Sequence, residues 1–319
     1  MTIEQASLHI RAIKDEVKKV IVGQDTIIDQ VLASLVAGGH VLVEGLPGLG
    51  KTLMVRVLAT SFGGHSNRVQ FTPDLMPSDI IGHVLYDVQS GKFTTRKGPV
   101  FTHILIADEI NRAPAKTQAA LLEVMQEYQV SFDGQTHQLD RPFMTLATQN
   151  PAEHEGTYPL PDAQLDRFLL KIRIPYPDQA AEVRFVSQLL ADKTGEAFDL
   201  SAVNAVCDIA TLVQIQQLCA QVRVDPAIVD YAVRMVGKTR DHYSLRVGAG
   251  PRASLALVRL ARANALADNR NFVSPDDLLR WAIPVLRHRV TPSSEWEMDG
   301  RGQEEALELI LAGIEAPRL

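Results

Sequence analysis

The chain has 319 residues, 46% hydrophobic and 22% charged, a composition typical of globular proteins and a length sufficient for two domains. Its formal net charge of −6 argues against a dedicated nucleic-acid-binding protein, and no apolar run is long enough to span a bilayer. No basic segment followed by an apolar one opens the chain, so we expect a cytoplasmic protein that is not inserted in a membrane. Cys207 and Cys219, both in a segment with helical periodicity, are expected to be buried thiols in a reducing compartment.

Helical spacing of apolar residues predicts helices within residues 1–38, with a break at Gly23. From residue 41 to residue 174, short apolar runs alternate with helical segments, which is the pattern of β-α-β units on a parallel sheet. The predicted strands cover residues 41–44, 68–71, 103–107, 143–148 and 169–174. Two hairpins are predicted to interrupt this alternation, one with strands at 84–86 and 92–94, the other with strands at 129–132 and 135–139.

Residues 175–178, Pro-Tyr-Pro-Asp, break the alternation, and the pattern after them is almost wholly helical. Helices are predicted over residues 179–192, 203–219, 226–239, 252–267 and 275–288. We therefore predict an α/β fold in which residues 1–177 form a parallel sheet flanked by helices and carrying the hairpins as insertions. Residues 178–319 are predicted to form a small all-α domain that acts as a lid.

Residues 45–52 match the phosphate-binding pattern G-x-x-x-x-G-K-[ST] between an apolar strand and a helical segment. Glycines let successive backbone N–H groups point at phosphate oxygens, and the helix N-terminus adds positive potential. Lys51 would reach the β- and γ-phosphates, and the Thr52 hydroxyl would ligate Mg²⁺. A glycine-rich turn that binds no ligand is the alternative. The predicted nucleotide-binding loop comprises Gly45, Pro47, Gly48, Leu49, Gly50, Lys51, Thr52 and Leu53.

Polar side chains follow two further predicted strands, at the edge where open α/β sheets bind ligands. Asp108 and Glu109 end the strand at 103–107; Asp108 would hold Mg²⁺ with Thr52, and Glu109 would be the general base for attack on the γ-phosphate. Asn150 follows the strand at 143–148 and could hydrogen-bond the attacking water or the γ-phosphate. The alternatives are solvated acids at a strand end and a turn before Pro151.

Two arginines are candidates for stabilising transition-state charge. Arg167 lies just before the last predicted strand, where an ion pair with Asp166 or Asp162 is the alternative. Arg252 follows Pro251 in the first turn of a predicted helix. It could face the phosphates if the helical domain folds over the cleft, and it would otherwise be a solvated surface residue.

Taken together, these elements resemble the AAA+ ATPases, and specifically the MoxR family. The resemblance covers nearly the whole chain and is most distinctive at residues 70–79, 98–101, 107–114, 147–151 and 163–168. It implies that Lys51 and Thr52 belong to Walker A, that Asp108 and Glu109 belong to Walker B, and that Asn150 is sensor 1. It further implies that Arg167 is the arginine finger, that Arg252 is sensor 2, and that the adenine is cradled by Val22, Gly23 and Gln24.

The resemblance also implies a homo-hexameric ring with one nucleotide at each subunit junction, so that Arg167 would act on the neighbour's ATP. Proteins of this family act like chaperones on client proteins, often with a partner that carries a von Willebrand factor A domain. Some of them load metals or cofactors into metalloenzymes. The leading hypothesis is thus an Mg²⁺-ATP-driven remodelling ATPase. A nucleic-acid motor or loader and an ATP-switched binding module with little turnover are the alternatives left open.

Overall fold

The structure is a computed structural model that describes residues 1–45, 50–87, 91–132, 134–150, 157–176, 179–180, 182–183, 187 and 200–318. Loop positions Pro47, Gly48 and Leu49 lie outside the described residues, as do position 133 in the second hairpin and the proposed domain boundary at 177/178. Most of the helix predicted over 179–192 also lies outside them.

The first half of the chain carries the predicted alternation of helices and strands. In chain order its elements are α1 (Ile3–Val20), α2 (Asp25–Val36), β1 (Val41–Gly45), α3 (Lys51–Ser61), β2 (Ser66–Gln70), α4 (Pro77–Ile81), β3 (Gly82–Asp87), β4 (Lys92–Lys97), β5 (Ile104–Asp108), α5 (Ala115–Glu127), β6 (Gln129–Phe132), β7 (Gln135–Gln138), β8 (Met144–Gln149), α6 (Asp162–Leu165) and β9 (Leu170–Ile174). Both predicted hairpins are confirmed, as β3–β4 and β6–β7.

Five strands form one parallel sheet in the order β2-β5-β8-β1-β9. The five predicted strands are confirmed, each end within two residues of the observed one. The middle strands are buried on both faces: Ile104 and Ile106 of β5 face one hydrophobic core, and Leu105 and Ala107 face the other. Because all five strands run in the same direction, their carboxyl ends meet at a single edge.

The second half of the chain is mainly helical. Its elements are α7 (Ile209–Gln221), α8 (Pro226–Lys238), β10 (Leu245–Val247), α9 (Pro251–Ala267), α10 (Pro275–Leu286), β11 (Thr291–Pro292), α11 (Ser294–Met298) and α12 (Gln303–Ala312). The small antiparallel pair β10–β11 was not predicted from the sequence.

The helix predicted over 203–219 begins later, at Ile209, because the side chain of Asp208 caps it by accepting a hydrogen bond from the Thr211 N–H at 2.8 Å. Cys219 is buried in α7, whereas Cys207 is half-buried and precedes the helix, so its predicted helical position is wrong. Both thiols are free, and burial raises the pKa of Cys207 to about 11.

The helical part packs directly against the α/β part. One hydrophobic core runs from α1, α2, α3 and one face of the sheet into α7–α10. The Ser7 hydroxyl of α1 donates a hydrogen bond to the Ala267 carbonyl at the end of α9, over 2.7 Å. The continuous core fixes where each helix of the second half lies relative to the strand ends, and this placement decides which arginines can reach the candidate site.

No helix in the described ranges is both long enough and apolar enough to cross a bilayer.

Candidate active site

A cleft of about 330 Å³ lies at the carboxyl edge of the sheet. Its lining includes Gly45 from β1, Lys51 and Thr52 from the first turn of α3, Asp108 and Glu109 from the end of β5, and Asn150 after β8. Leu53 and Gly50 of the predicted loop also line it. The parallel sheet therefore brings together residues that are up to 105 positions apart in the sequence, from Gly45 to Asn150.

The loop that enters α3 has the backbone geometry that a phosphate cradle requires where it is described. Gly50 has a φ of +75°, in the left-handed region that favours glycine, and α3 begins at the next residue. Lys51 Nζ donates a hydrogen bond to the Gly45 carbonyl at 2.7 Å, so the ammonium group reaches back to the end of β1. Burial lowers the pKa of Lys51, while Asp108 and Glu109 act in the opposite direction.

Both carboxylate oxygens of Asp108 are engaged. Oδ1 accepts a hydrogen bond from the Thr148 hydroxyl at 2.5 Å. Oδ2 accepts two from the Arg68 guanidinium, from Nη2 at 2.7 Å and from Nε at 3.1 Å. The carboxylate is thus held in one orientation by β8 on one side and by β2 on the other, facing the cleft that Thr52 also lines.

Glu109 occupies a left-handed backbone conformation, with φ 56° and ψ 50°, which is unfavourable for a residue with a side chain by about 1 kcal/mol. The conformation is supported by the Glu109 N–H, which donates to the Thr148 hydroxyl at 2.9 Å. Its carboxylate oxygen Oε2 accepts from Gln70 Nε2 at 2.8 Å and from Arg112 Nη1 at 3.0 Å. The turn at Glu109 thereby points two successive carboxylates in different directions.

The segment Val22-Gly23-Gln24 does not line the cleft. It forms the turn between α1 and α2, with Gly23 in the left-handed region at φ 74°. The helix that follows lies beside the start of α3, because Ile27 and Lys51 line the same small apolar cavity. The predicted adenine-binding role of these three residues is compatible with that position and stays a prediction.

Arg167 and Arg252 lie together, but not at the cleft. Both line a second cavity of about 280 Å³ with Gly38, His40, Arg259 and Arg289. Arg167 precedes β9, and the Leu169 N–H donates to the His40 carbonyl just before β1 at 2.8 Å. Since β1 and β9 are parallel, this cavity is at the amino edge of the sheet, one strand length from Lys51. The structure therefore does not place Arg252 over the cleft of its own chain. The condition under which Arg252 was expected to face the phosphates, a helical domain folded over the cleft, is not met at this residue.

The arginines of this second cavity differ in how they are held. Arg289 donates to Asp166 Oδ1 at 2.7 Å and to the carbonyl of Phe168 at 2.5 Å, and Arg259 donates to the carbonyls of Ala37 and Gly38 at 2.7 and 2.9 Å. Arg252 Nη1 is only within 4.0 Å of Asp166 Oδ2.

Arg167 is held least. Its buried Nε has no hydrogen-bond acceptor in the part of the chain that the structure describes. The ion pair with Asp166 or Asp162, weighed as the alternative for Arg167, is not formed among the described residues, where Asp166 pairs with Arg289 and Arg252.

Four residues that hydrogen-bond Asp108 or Glu109 were given no role from the sequence: Arg68, Gln70, Arg112 and Thr148. Arg68 and Gln70 alternate on β2, which pairs with β5 so that Gln70 lies opposite Asp108. Their alternation was a usable signal, because residues two apart on a strand share a face. Without the strand order, however, nothing in the sequence places β2 beside β5.

The fold and this cleft place the protein in the class of AAA ATPases. Residues 40–170 match the family described as ATPase family associated with various cellular activities (AAA), and residues 237–310 match the AAA lid domain. A crystal structure of a proposed ATPase from Cytophaga hutchinsonii superposes with a TM-score of 0.90 and 39% sequence identity, covering 99% of this chain and 98% of that chain.

Two relatives define the family more closely. Chaperone MoxR1 of Mycobacterium tuberculosis is 42% identical over 313 residues, which cover 95% of this chain and 81% of that protein. The uncharacterized protein YeaC of Bacillus subtilis is 45% identical over 303 residues, which cover 95% of this chain and 93% of that protein. The chain belongs to the MoxR family of AAA ATPases.

Proposed function

We propose that this protein hydrolyses ATP in the cleft at the carboxyl edge of the sheet and uses the energy to remodel client proteins. The observation that carries the proposal is the convergence of Lys51, Asp108, Glu109 and Asn150 on one cavity. A cation from a glycine-rich loop, an adjacent pair of carboxylates and an amide at one sheet edge are the groups that phosphoryl transfer to water requires.

The residues present fit Mg²⁺ and a nucleoside triphosphate. Gly50 leaves open space on its Cα: apart from its chain neighbours, no atom of the described residues lies within 4 Å of the position that a Cβ would take, which suits close approach of phosphates. The hydroxyl of Thr52 and the carboxylate of Asp108 are oxygen donors of the kind that Mg²⁺ prefers, and we assign them as its ligands. When bound, Mg²⁺ would neutralise charge on the β- and γ-phosphate oxygens.

Each side chain of the cleft has a part in this scheme. Lys51 leaves the Gly45 carbonyl and binds the β- and γ-phosphates. Glu109 turns from Gln70 and Arg112 towards the cleft and accepts a proton from the attacking water. Asn150 orients that water or the γ-phosphate. The backbone of Gly45, Pro47, Gly48, Leu49, Gly50 and Leu53 completes the phosphate loop, and Val22, Gly23 and Gln24 contact the adenine.

Arg167 and Arg252 act on the nucleotide of a neighbouring subunit. Both lie one strand length from the cleft of their own chain, in an open cavity where a buried guanidinium nitrogen of Arg167 has no acceptor among the described residues. Phosphate oxygens of a neighbour's ATP would supply the missing acceptors. A head-to-tail contact of this kind forms a ring when its rotation closes, and we propose a closed homo-hexamer.

The client role rests on the family and on the exposed hairpin β3–β4. Phe93 is 74% exposed and Tyr86 is 56% exposed, so the hairpin presents aromatic side chains to a partner. Because MoxR1 is named a chaperone, we propose a chaperone-like role here, with a von Willebrand factor A domain protein or a metalloenzyme subunit as partner. Metal or cofactor insertion is one form of this role, and the two free thiols suit the cytoplasm as its location.

The proposal is tested first with Glu109→Gln. We expect turnover to fall by a factor of about 10³ or more while ATP binding is kept, since an amide cannot accept the proton. Glu123→Gln, at an exposed position of α5, is the matched control and should retain turnover. Retained turnover in Glu109→Gln would contradict the role of Glu109 as the general base. If the wild-type protein did not bind ATP, the ATPase proposal itself would be refuted.

The same variant identifies the client. Loaded with Mg²⁺-ATP, Glu109→Gln should retain its partner during affinity capture, and the additional change Lys51→Ala should release it. Recovery of a von Willebrand factor A domain protein or a metalloenzyme subunit supports the remodelling role. Recovery of nucleic acid with replication or repair proteins would contradict it.

A further inference from the structure

We propose that Arg68 competes with Mg²⁺ for the carboxylate of Asp108 and thereby weakens metal binding at this position. The proposal rests on the proposed assignment of Asp108 as a Mg²⁺ ligand. Arg68 lies on β2, outside both the phosphate loop and the Asp108-Glu109 pair.

The contact between Arg68 and Asp108 has the geometry of a competitor for the metal. Nη2 and Nε of the one guanidinium donate to the same oxygen, Oδ2, at 2.7 and 3.1 Å. The positive guanidinium is therefore held directly against the carboxylate oxygen that faces the cleft. The other oxygen accepts from Thr148. A cation that binds Oδ2 from the cleft would compete with the guanidinium for the same negative charge.

Exposure makes displacement of the guanidinium feasible. The side chain of Asp108 is 16% exposed, whereas that of Arg68 is 52% exposed. The carboxylate is fixed in the cleft, and the arginine can turn into solvent or towards the γ-phosphate position without disturbing a core. Arg68 lines the same cleft as Lys51, so it remains close to the nucleotide phosphates after it moves.

Arg68 also connects the metal position to Glu109. Its Nη2 donates to Gln70 Oε1 at 2.9 Å, and Gln70 Nε2 donates to Glu109 Oε2 at 2.8 Å. The bond from Arg68 thus fixes which end of the Gln70 amide faces Glu109. Displacement of Arg68 by the metal would free that amide to turn. Arg68 is accordingly a positioning residue. Through Gln70, it couples binding of the metal at Asp108 to release of the Glu109 carboxylate.

The test uses Mn²⁺ alone as the probe, with binding to the nucleotide-free protein followed by electron paramagnetic resonance. Arg68→Ala should bind Mn²⁺ about tenfold more tightly than the wild type, because a charge-assisted competitor for the carboxylate is gone. The gain should vanish when Asp108→Asn is added. Arg56→Ala, which removes an exposed arginine of α3 that does not line the cleft, is the matched control and should leave Mn²⁺ affinity within twofold of the wild type.

A second measurement compares the dissociation constant for a fluorescent ATP analogue without and with Mg²⁺. The dissociation constant without Mg²⁺ divided by that with Mg²⁺ should rise about tenfold in Arg68→Ala. The nucleotide without metal loses a favourable cation, and the nucleotide with metal no longer competes with one. Arg68→Lys keeps a charge at the cleft and also tests the fold at this position. Its ratio should lie between those of the wild type and Arg68→Ala. Unchanged Mn²⁺ affinity and an unchanged ratio in Arg68→Ala would overturn the proposal, whereas failure of the wild type to bind the analogue would count against the ATPase function instead.

Discussion

Arg252 at the start of α9 reaches Asp166 before β9, with 4.0 Å between Nη1 and Oδ2. The two residues thus meet at the amino edge of the sheet, where the first turn of α9 lies, whereas Lys51 lies at the carboxyl edge. An arginine in this position cannot serve the nucleotide cleft of its own chain without a rearrangement of the continuous core between the two halves. The contact therefore favours a role across a subunit boundary.

Mixing inactive variants tests that role for both arginines. Arg167→Ala, Arg252→Ala and Lys51→Ala should each lose ATP hydrolysis alone. A 1:1 mixture of Lys51→Ala with either arginine variant should regain activity at roughly a quarter of the subunit junctions, because each junction draws its loop from one subunit and its arginine from the next. The steady-state ATPase rate of the mixture is the measurement.

Native mass spectrometry of the mixtures serves as the control, since the two variants must co-assemble for the result to count. If co-assembled mixtures containing Arg252→Ala stay inactive while those containing Arg167→Ala recover, Arg252 acts within its own subunit.

Thr148 connects the carboxylate of Asp108 to the backbone of Glu109, since its hydroxyl donates to Asp108 and accepts from the Glu109 N–H. Thr148→Val keeps the buried shape and removes both bonds. We expect kcat to fall about 10- to 100-fold with little change in nucleotide affinity, because charge-assisted bonds of this kind contribute about 1.5–3 kcal/mol. Thr148→Ser restores the hydroxyl and should recover most of the rate; an equal loss in both variants would assign the effect to packing.

A chain of ion pairs connects the end of β1 to α12 of the helical part. Glu44, next to Gly45, pairs with Lys171 and with Arg173, and Arg173 Nη1 contacts Glu304 Oε1 at 2.6 Å. Arg173→Ala and Glu304→Ala should show a coupling free energy of about 0.5–1 kcal/mol in a double-mutant cycle of urea unfolding at low salt. Half-exposed charges are screened, so the coupling should shrink in high salt. Strictly additive effects at low salt would show that the pair does not hold the two parts together.

His40 makes the stability depend on pH. Its ring is buried, Nδ1 accepts from the Thr145 N–H at 3.0 Å, and Nε2 lies 2.8 Å from the Met125 carbonyl, so the neutral ring with hydrogen on Nε2 fits both contacts. Burial lowers the pKa of His40 from 6.5 to about 4. Between pH 6.5 and pH 4, His40 binds a proton in the unfolded chain and stays neutral in the folded chain. The free energy of unfolding should therefore fall by about 3 kcal/mol from pH 7 to pH 4 through this residue.

Urea unfolding across this pH range checks the effect. His40→Gln should show a shallower loss of stability towards acid than the wild type. His9→Gln, at a half-buried position of α1, is the matched control for removing a histidine. Equal pH slopes for His40→Gln and the wild type would contradict the assignment.

Local patterns in the sequence determined the parts of the site that depend on short-range chemistry. The strand-loop-helix context around Lys51 and the apolar strand ending at Asp108 are each readable within about ten residues, because period-2 and period-3.6 patterning and glycine geometry are local properties. The rule that parallel strands bind ligands at their carboxyl edge then predicted that Lys51, Asp108, Glu109 and Asn150 would meet, and they line one cleft.

The tertiary structure alone decided the positions of Arg252 and Arg68. The sequence places Arg252 in a first helical turn but carries no information on which sheet edge that turn packs against; the core shared by α9, α1 and α2 sets this. Arg68 reads as a charged residue near the start of a strand, and only the order β2-β5 brings it to Asp108. Strand order and helix docking are fixed by burial summed over the whole core, which no short segment encodes.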